Sequence, residues 1–161
     1  MGRVKLDNID RKILANLQRS GRMTNVDLAK NVGISPPPCL RRVRALENSG
    51  LIRGYFADVD SLALGFGVTV FAQVGLDSQA ESDLVAFEER VRGWPMVREC
   101  YMLAGETDFI LRVVAKDWEI YQGWLTSELT AAPNVDHVKS SLAIRTSKHQ
   151  PGVPMEVPEV T

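Results

Sequence analysis

Arginine side chains concentrate in one short stretch of this 161-residue chain, residues 35–50. Arg41, Arg42 and Arg44 stand close together there, and no acidic residue lies among them. A guanidinium group presents a planar fork of N–H donors, which matches phosphate oxygens and the major-groove edge of guanine. The stretch therefore predicts contacts with double-stranded DNA, and the hydroxyl of Ser35 is a further candidate contact.

The same stretch has the apolar pattern of a half-buried helix. Leu40, Val43 and Leu46 recur at helical spacing, whereas the arginines are predicted to point away from that face. The sequence Asn48-Ser49-Gly50 is a typical helix end. A basic helix of this kind, following another helix after a short turn, is the arrangement by which many proteins read DNA.

Two further helices are predicted upstream, so that residues 1–55 read as a helix-turn-helix. Apolar residues at helical spacing define the first, capped by Asp7 or Asn8, and Thr24 is placed to cap the second. Gly33 ends the second helix just before the arginine-rich one. Residues 51–56 are predicted to form a strand that serves as a small wing. Thr24 and the wing residue Arg53 are additional candidates for DNA contacts.

The charge distribution supports different partners for the two halves of the chain. The net charge is only −1, but residues 1–55 carry eleven basic and four acidic side chains, a net +7. The remaining residues carry eight basic and sixteen acidic side chains, a net −8. A basic front half favours a polyanionic partner, because phosphate contacts dominate the electrostatics of DNA binding.

The acidic half alternates strand and helix patterns. Strands are predicted at 68–74, 96–104, 107–115 and 135–144, with helices at about 84–94 and 118–129, which is the βαββαβ order of a ferredoxin-like fold. Several strands are apolar on both faces, whereas two helices cover only one face of such a sheet. We therefore expect the second face to be covered by another copy of the chain.

Motifs along nearly the whole chain agree in order and spacing with those of a known family. They are Leu6-Asp7, Asp10-Arg11, Ile13-Leu14, Leu28-Ala29, Gly33-Ile34-Ser35-Pro36, Pro38-Cys39-Leu40, Arg42-Val43, Leu46-Glu47, Gly50-Leu51-Ile52, Gly54-Tyr55, Glu99-Cys100-Tyr101, Gly105 and Asp108. Over residues 6–148 the chain resembles the Lrp/AsnC family, the feast/famine regulators. The resemblance implies an α+β protein in which a winged helix-turn-helix domain precedes a ferredoxin-like βαββαβ domain.

The resemblance also implies a function and a division of the chain. It implies a regulator of transcription, tuned by a small effector that is usually an amino acid, and homodimers that assemble further, with an octamer expected. The predicted division is a DNA-binding domain at 1–55, a linker at 56–67, an effector and oligomerisation domain at 68–148, and a flexible tail at 149–161.

The candidate effector site follows from the family match at Gly105 and Asp108. A free amino acid carries an ammonium and a carboxylate, which Asp108 and the backbone amides near Gly105 are suited to bind. Thr107 lies in the same stretch, and Tyr101 is expected to line the same pocket. Taken alone, a glycine three residues before an acid is more often just a hairpin turn.

Two departures from the family pattern are visible. Many relatives have two threonines separated by one residue in the last strand, where this chain has Val138 and Ser140, so the usual amino-acid preference is in question. Pro37 stands where relatives often have threonine. Because the first three predicted positions of the arginine-rich helix are prolines, they have no N–H for Ser35 to cap or for a phosphate to bind.

Other classes of function have less support. Cys39 and Cys100 are too few for a disulfide framework, and His137 and His149 lack partners at ligand spacing, so no metal or other cofactor is predicted. No apolar run suggests a secretory signal or a membrane span, and a cytoplasmic protein is expected. Two alternatives stay open: an enzyme resembling the haem-precursor decarboxylases, which have a related two-part fold, and an assembly module that does not bind DNA.

Overall fold

The computed structural model describes residues 5–155 and divides the chain into two compact units. The division falls between Asp58 and Val59, inside the predicted linker, and residues 148–155 belong with the first unit. The predicted start of the first domain at residues 1–4 and the end of the tail at residues 156–161 lie outside the described residues. In the part of the chain that is described, no helix is long and apolar enough to cross a membrane.

The first unit contains three helices around a small apolar core. They are α1 (Asn8–Arg19), α2 (Asn25–Val32) and α3 (Pro36–Asn48). Its buried side chains come from all three, namely Ile13, Leu28, Ala29, Val32, Cys39 and Leu46. The helix-turn-helix predicted from the sequence is therefore present.

Polar caps fix where α1 and α2 begin and end. Asp7 caps α1 by accepting a hydrogen bond from the backbone N–H of Asp10, and Thr24 caps α2 by accepting one from the N–H of Asp27. Gly33 ends α2 with a φ of 78°, a left-handed conformation that glycine adopts without a steric cost. These caps confirm the predicted boundaries and hold the turn between α2 and α3 short.

The predicted wing strand is wrong for this structure. Among the described residues, those from 53 to 60 adopt no regular secondary structure. The hydroxyl of Tyr55 donates instead to Glu47 at the end of α3, and the Tyr55 ring lies beside Gly21. The segment has strand-like residues, but the described part of its unit contains no strand for it to pair with, and an unpaired strand is not stable in water.

The second unit contains a four-stranded antiparallel sheet in the order β2-β3-β1-β4. The strands are β1 (Val68–Leu76), β2 (Val97–Met102), β3 (Phe109–Ala115) and β4 (Val135–Leu142). Two helices complete it: α4 (Glu81–Arg92) between β1 and β2, and α5 (Trp118–Trp124) between β3 and β4. This is the predicted ferredoxin-like arrangement.

One face of the sheet is buried beneath α4 and α5. Alternate residues of β1 and β3 point into this core, and aromatic side chains of the helices cover them. Phe109 contacts Phe87, Phe87 contacts Trp94, and Trp94 contacts Trp124. The predicted single helix at 118–129 is α5 followed by a π-helical turn at Leu125–Leu129.

The segment beyond β4 differs from the free tail that the sequence predicts. The side-chain amide of Gln18 donates to the carbonyl of Val153, and the N–H of Val153 donates back to Gln18. This reciprocal pair anchors residues near 153 to α1 within the first unit.

Candidate functional site

One side of α3 faces away from the core and carries two of the three arginines. With 3.6 residues per turn, Pro37, Arg41, Arg44 and Asn48 follow one another along this outward face. All four residues are exposed. In the part of the chain that the structure describes, neither Arg41 nor Arg44 forms an ion pair. Two exposed guanidinium groups one turn apart can meet phosphates or guanine edges in a groove.

The start of α3 has the features that its prolines predict. Ser35 occupies the cap position, but its side chain makes no capping hydrogen bond. The backbone N–H of Cys39 is the first to donate within the helix, to the carbonyl of Ser35 over 3.3 Å. The exposed hydroxyl of Ser35 is therefore not engaged in capping.

The remaining DNA-contact candidates, Thr24 and Arg53, differ in their surroundings. The Thr24 hydroxyl accepts from the N–H of Asp27 and donates to the Asp27 carboxylate over 2.6 Å, so the cap of α2 already engages it. Arg53 is exposed in the irregular segment after α3 and forms no ion pair within residues 5–155.

Arg42 does not point away from the domain as the sequence analysis expects. Its Nη1 atom donates to Asp7 over 2.7 Å and to Asp10 over 2.8 Å, both at the start of α1. The physical reason is helical spacing, because Arg42 lies three residues after Cys39 and four before Leu46, which are both buried. That spacing is the signal in the sequence that places Arg42 on the inner side of the helix.

The turn between α2 and α3 is held by a contact that the sequence did not suggest. The side-chain amide of Asn25, the first residue of α2, donates to the carbonyl of Pro36 over 2.9 Å. This bond joins the first turns of the two helices, and therefore helps to fix the direction in which the outward face of α3 points.

Asp108 lies at the end of the β2–β3 loop and is tied to β1. Its carboxylate Oδ2 accepts from the N–H of Leu76 over 2.7 Å, and its own N–H donates to the carbonyl of Val74. The Leu76 amide is free for this bond because it lies beyond the last pair of the β1–β3 register, Val74 with Phe109. This leaves Oδ1 of Asp108 as the carboxylate oxygen for a ligand cation.

The loop before Asp108 presents its backbone amides to solvent. A bond from the N–H of Leu103 to the carbonyl of Asp108 closes the loop, which is longer than the two-residue turn predicted at Gly105-Glu106. Among the described residues, the amides of residues 104–107, including Gly105 and Thr107, donate to no protein acceptor. Exposed N–H groups next to a carboxylate are the two features that a bound amino acid requires.

The other predicted effector residues lie on opposite faces of the sheet. Tyr101 pairs with Ile110 on the face without helices, which we call the open face, and donates to Glu99. Val138 pairs with the buried Val74 and therefore faces the helices. Ser140 faces them too, since it hydrogen-bonds the hydroxyl of Tyr121 in α5. The six predicted residues thus do not form one pocket within the chain.

His137 has a position on the open face that the sequence analysis did not single out. It pairs with Gly75, where a Cβ would overlap the His137 ring, and its Nδ1 lies 2.8 Å from Asp136. The imidazole therefore lies beside the irregularity between Gly75 and Leu76, and the backbone N–H of Leu76 donates to Asp108. A side chain at position 75 would require the His137 ring to move, which no local sequence pattern signals.

The cysteine thiols are poor nucleophiles in this structure. Burial raises the pKa of Cys39, and burial together with the nearby Glu88 raises the pKa of Cys100 to about 11. A thiol with a raised pKa carries little thiolate at neutral pH. Within residues 5–155, no three histidine, cysteine, aspartate or glutamate residues are grouped so that they could hold a metal ion.

A cavity of about 780 Å³ lies in the first unit, between α1, the irregular segment after α3 and residues 149–155. None of the predicted site residues lines it. The cavity is therefore separate from both candidate sites.

Comparison with known families gives matches in both units. Residues 6–53 match the model described as winged helix-turn-helix DNA-binding, and residues 69–153 match the Lrp/AsnC ligand binding domain. These ranges contain the predicted DNA contacts and the predicted effector residues, respectively.

Individual proteins are similar over nearly the full length. The chain is 52% identical over 146 residues to a leucine-responsive regulatory protein of Rhizobium meliloti, covering 91% of this chain and 94% of that protein. It is 44% identical to the Bkd operon transcriptional regulator of Pseudomonas aeruginosa, covering 88% and 93%. A crystal structure of a Neisseria meningitidis transcriptional regulator in complex with L-methionine superposes with a TM-score of 0.88 at 35% identity, covering 93% of this chain and 97% of that one.

Proposed function

The chain belongs to the Lrp/AsnC family of transcriptional regulators, and we propose that it reads DNA with the outward face of α3 under the control of a bound amino acid. The observation that carries the DNA part is the pair Arg41 and Arg44, which are exposed on a helix whose opposite side is packed in the core. The proposed contacts also include the Ser35 hydroxyl and Arg53. Thr24 is proposed to act mainly through the cap of α2.

The DNA contacts are tested by selecting a duplex from a random-sequence pool and measuring affinity for it across a range of salt concentrations. Each phosphate contact that is lost should lower the slope of log K against log salt by about 0.9. We expect Arg41→Gln with Arg44→Gln to lower the slope, because both guanidinium groups face the groove. Arg92→Gln, an exposed arginine of α4 in the second unit, is the matched control and should leave it unchanged. An unchanged slope in the α3 variant contradicts the proposal.

The proposed effector is a free amino acid with an apolar side chain. The Oδ1 atom of Asp108 would bind its ammonium, and the exposed amides of residues 104–107 would bind its carboxylate. Val138 lacks the hydroxyl found in many relatives, and Ser140 is bonded to Tyr121, so neither offers a hydroxyl to a polar side chain. The regulator of known structure that binds L-methionine supports this class of ligand.

Calorimetry with leucine, methionine, glutamate and N-acetylmethionine tests the effector. N-acetylmethionine should not bind, because it lacks the ammonium that Asp108 recognises. Asp108→Asn keeps an oxygen to accept from Leu76 but removes the charge, so we expect about tenfold weaker binding or more. Methionine binding that is unaffected by this substitution means that the pocket lies elsewhere.

Tyr101 and the open face are proposed to act in the assembled protein. We expect a second copy to cover the open face and complete the pocket, since the predicted effector residues do not converge within one chain. Dimers of this kind are proposed to assemble further, to an octamer, in the cytoplasm. A dimer supplies two recognition helices for two half-sites on DNA.

A further inference from the structure

Three charged side chains join α1 to α3 in a closed hydrogen-bonded network, which we call the ion-pair cluster: Asp7, Asp10 and Arg42. Asp7 Oδ1 accepts from the N–H of Asp10 over 2.8 Å, and Asp10 Oδ2 accepts from the N–H of Asp7 over 3.2 Å. The other oxygen of each carboxylate accepts from Arg42 Nη1. All four carboxylate oxygens are therefore engaged.

This network gives the cap of α1 a second role. A capping box normally satisfies only the first amides of its own helix. Here the same two carboxylates also hold the middle of α3, so the start of one helix fixes the rotation of the other. Asp10 is the more sheltered acid, with 17% of its side chain exposed against 51% for Asp7.

The charges of the ion-pair cluster disfavour a phosphate at this point. Two carboxylates surround one guanidinium, so the local net charge is −1. The hydrogen bond from the Asp10 backbone and the contact with Arg42 lower the pKa of Asp7. A DNA phosphate that approached Arg42 would meet both acids as well.

We propose that Arg42 is a positioning residue, which Asp7 and Asp10 keep away from DNA so that α3 presents Arg41 and Arg44 at a fixed rotation. The inference rests on the proposed DNA-binding function of α3. It assigns the three arginines of the stretch to two tasks, two for contact with DNA and one for orientation of the helix that carries them.

Salt-dependent DNA binding separates the two roles. Arg42→Gln should weaken binding to the selected duplex by about tenfold, the equivalent of about 1.4 kcal/mol, without changing the salt slope. Asp7→Asn with Asp10→Asn should have the same effect, because asparagine still caps a helix but does not hold the guanidinium as an ion pair. A chain with all three substitutions should bind the duplex no more weakly than Arg42→Gln alone or Asp7→Asn with Asp10→Asn. Arg44→Gln is the comparison that does change the slope.

Several results would overturn the proposal. One is a salt slope that Arg42→Gln lowers by as much as Arg44→Gln does. Another is tighter binding with a steeper slope in the Asp7→Asn, Asp10→Asn variant, because a released Arg42 would then be reaching a phosphate. Arg42→Lys should recover part of the affinity by restoring the charge, and failure to recover any also counts against an ion-pair role.

A measurement without DNA keeps the inference distinct from the proposed function. A double-mutant cycle of Asp10→Asn and Arg42→Gln, followed by denaturant unfolding, should give a coupling that becomes smaller at high salt. Its absence contradicts the ion-pair cluster even if the chain binds DNA. If the coupling is present but no variant or parent chain binds any duplex, then the proposed function fails while the cluster stands.

Discussion

At the scale of single residues, Tyr55, which lies beside Glu47 of α3, makes the stability of the first unit depend on pH. Burial, followed by the hydrogen bond to the Glu47 carboxylate, raises the pKa of Tyr55 to about 12. An unfolded chain would ionise this phenol near its ordinary pKa of about 10. The stability that protonated Tyr55 contributes is therefore complete below about pH 10 and is lost as the pH rises towards 12.

Glu47→Gln tests this contact. The variant keeps a hydrogen-bond acceptor but removes the negative charge, so we expect the pKa of Tyr55 to fall towards its ordinary value. NMR titration of chains with isotope-labelled tyrosine resolves Tyr55 from the other two tyrosines. Glu106→Gln, in the exposed β2–β3 loop, is the control and should leave Tyr55 unchanged. An unaltered pKa in Glu47→Gln would assign the shift to burial alone.

The residue scale also shows what the sequence could not settle. Clustering of Arg41, Arg42 and Arg44 was visible, but the role of each depends on which neighbour it faces. Packing of α3 against α1 turns Arg42 towards Asp7 and Asp10, which lie more than thirty residues earlier. Likewise, Ser140 was visible as a hydroxyl near the predicted site, whereas only the fold shows its bond to Tyr121.

At the scale of the helix, the three prolines that open α3 predict that the stability cost of Ser35→Ala depends on the residue at position 37. Ser35→Ala should change the free energy of unfolding little in the parent chain, because the hydroxyl makes no capping bond. In a Pro37→Thr background, position 37 regains an N–H that Ser35 can cap. The same Ser35→Ala change should then cost about 1 kcal/mol. Denaturant unfolding of the four chains measures both values, and equal costs in the two backgrounds would refute the account.

Elements whose ends carry local signals were predictable, and those that depend on a distant partner were not. Thr24, Gly33 and Ser35 mark helix boundaries by their own chemistry, and the structure places the boundaries there. The prediction of a wing strand at 51–56 was wrong because strand-forming residues need a second strand for pairing. The register shift at Gly75 was equally invisible, since it depends on the pairing of β1 with β4.

On the scale of the whole molecule, the open face of the sheet is the surface through which we propose that copies associate. Its side chains are mixed, with Phe71 38% exposed and the Glu99–Arg112 ion pair beside the apolar positions. The strand sequences predict an apolar face, whereas the pairing of β2 with β3 brings Glu99 and Arg112 together on it. The proposed partner would cover Phe71 and its apolar neighbours on this mixed surface.

Phe71→Asp tests the association. A carboxylate at position 71 would lose its water between two sheets, a cost that the neighbouring Arg112, already paired with Glu99, would only partly offset, so the native mass should fall to that of a smaller species. Light scattering after size exclusion measures it. Val85→Asp is the matched control, an apolar residue of α4 with a similar exposure of 41%. If the mass of Phe71→Asp equals that of the parent chain, the copies meet through another surface.

The aromatic contacts of the second unit have a practical consequence for spectroscopy. All three tryptophans of the chain, Trp94, Trp118 and Trp124, lie in that unit, and Trp94 and Trp124 meet edge to face. Intrinsic indole emission therefore reports on the unit proposed to bind the effector, whereas far-ultraviolet circular dichroism records the helices of both. Comparing the two signals during unfolding reveals, without any label, whether an added amino acid stabilises its own unit alone or the DNA-reading helices as well.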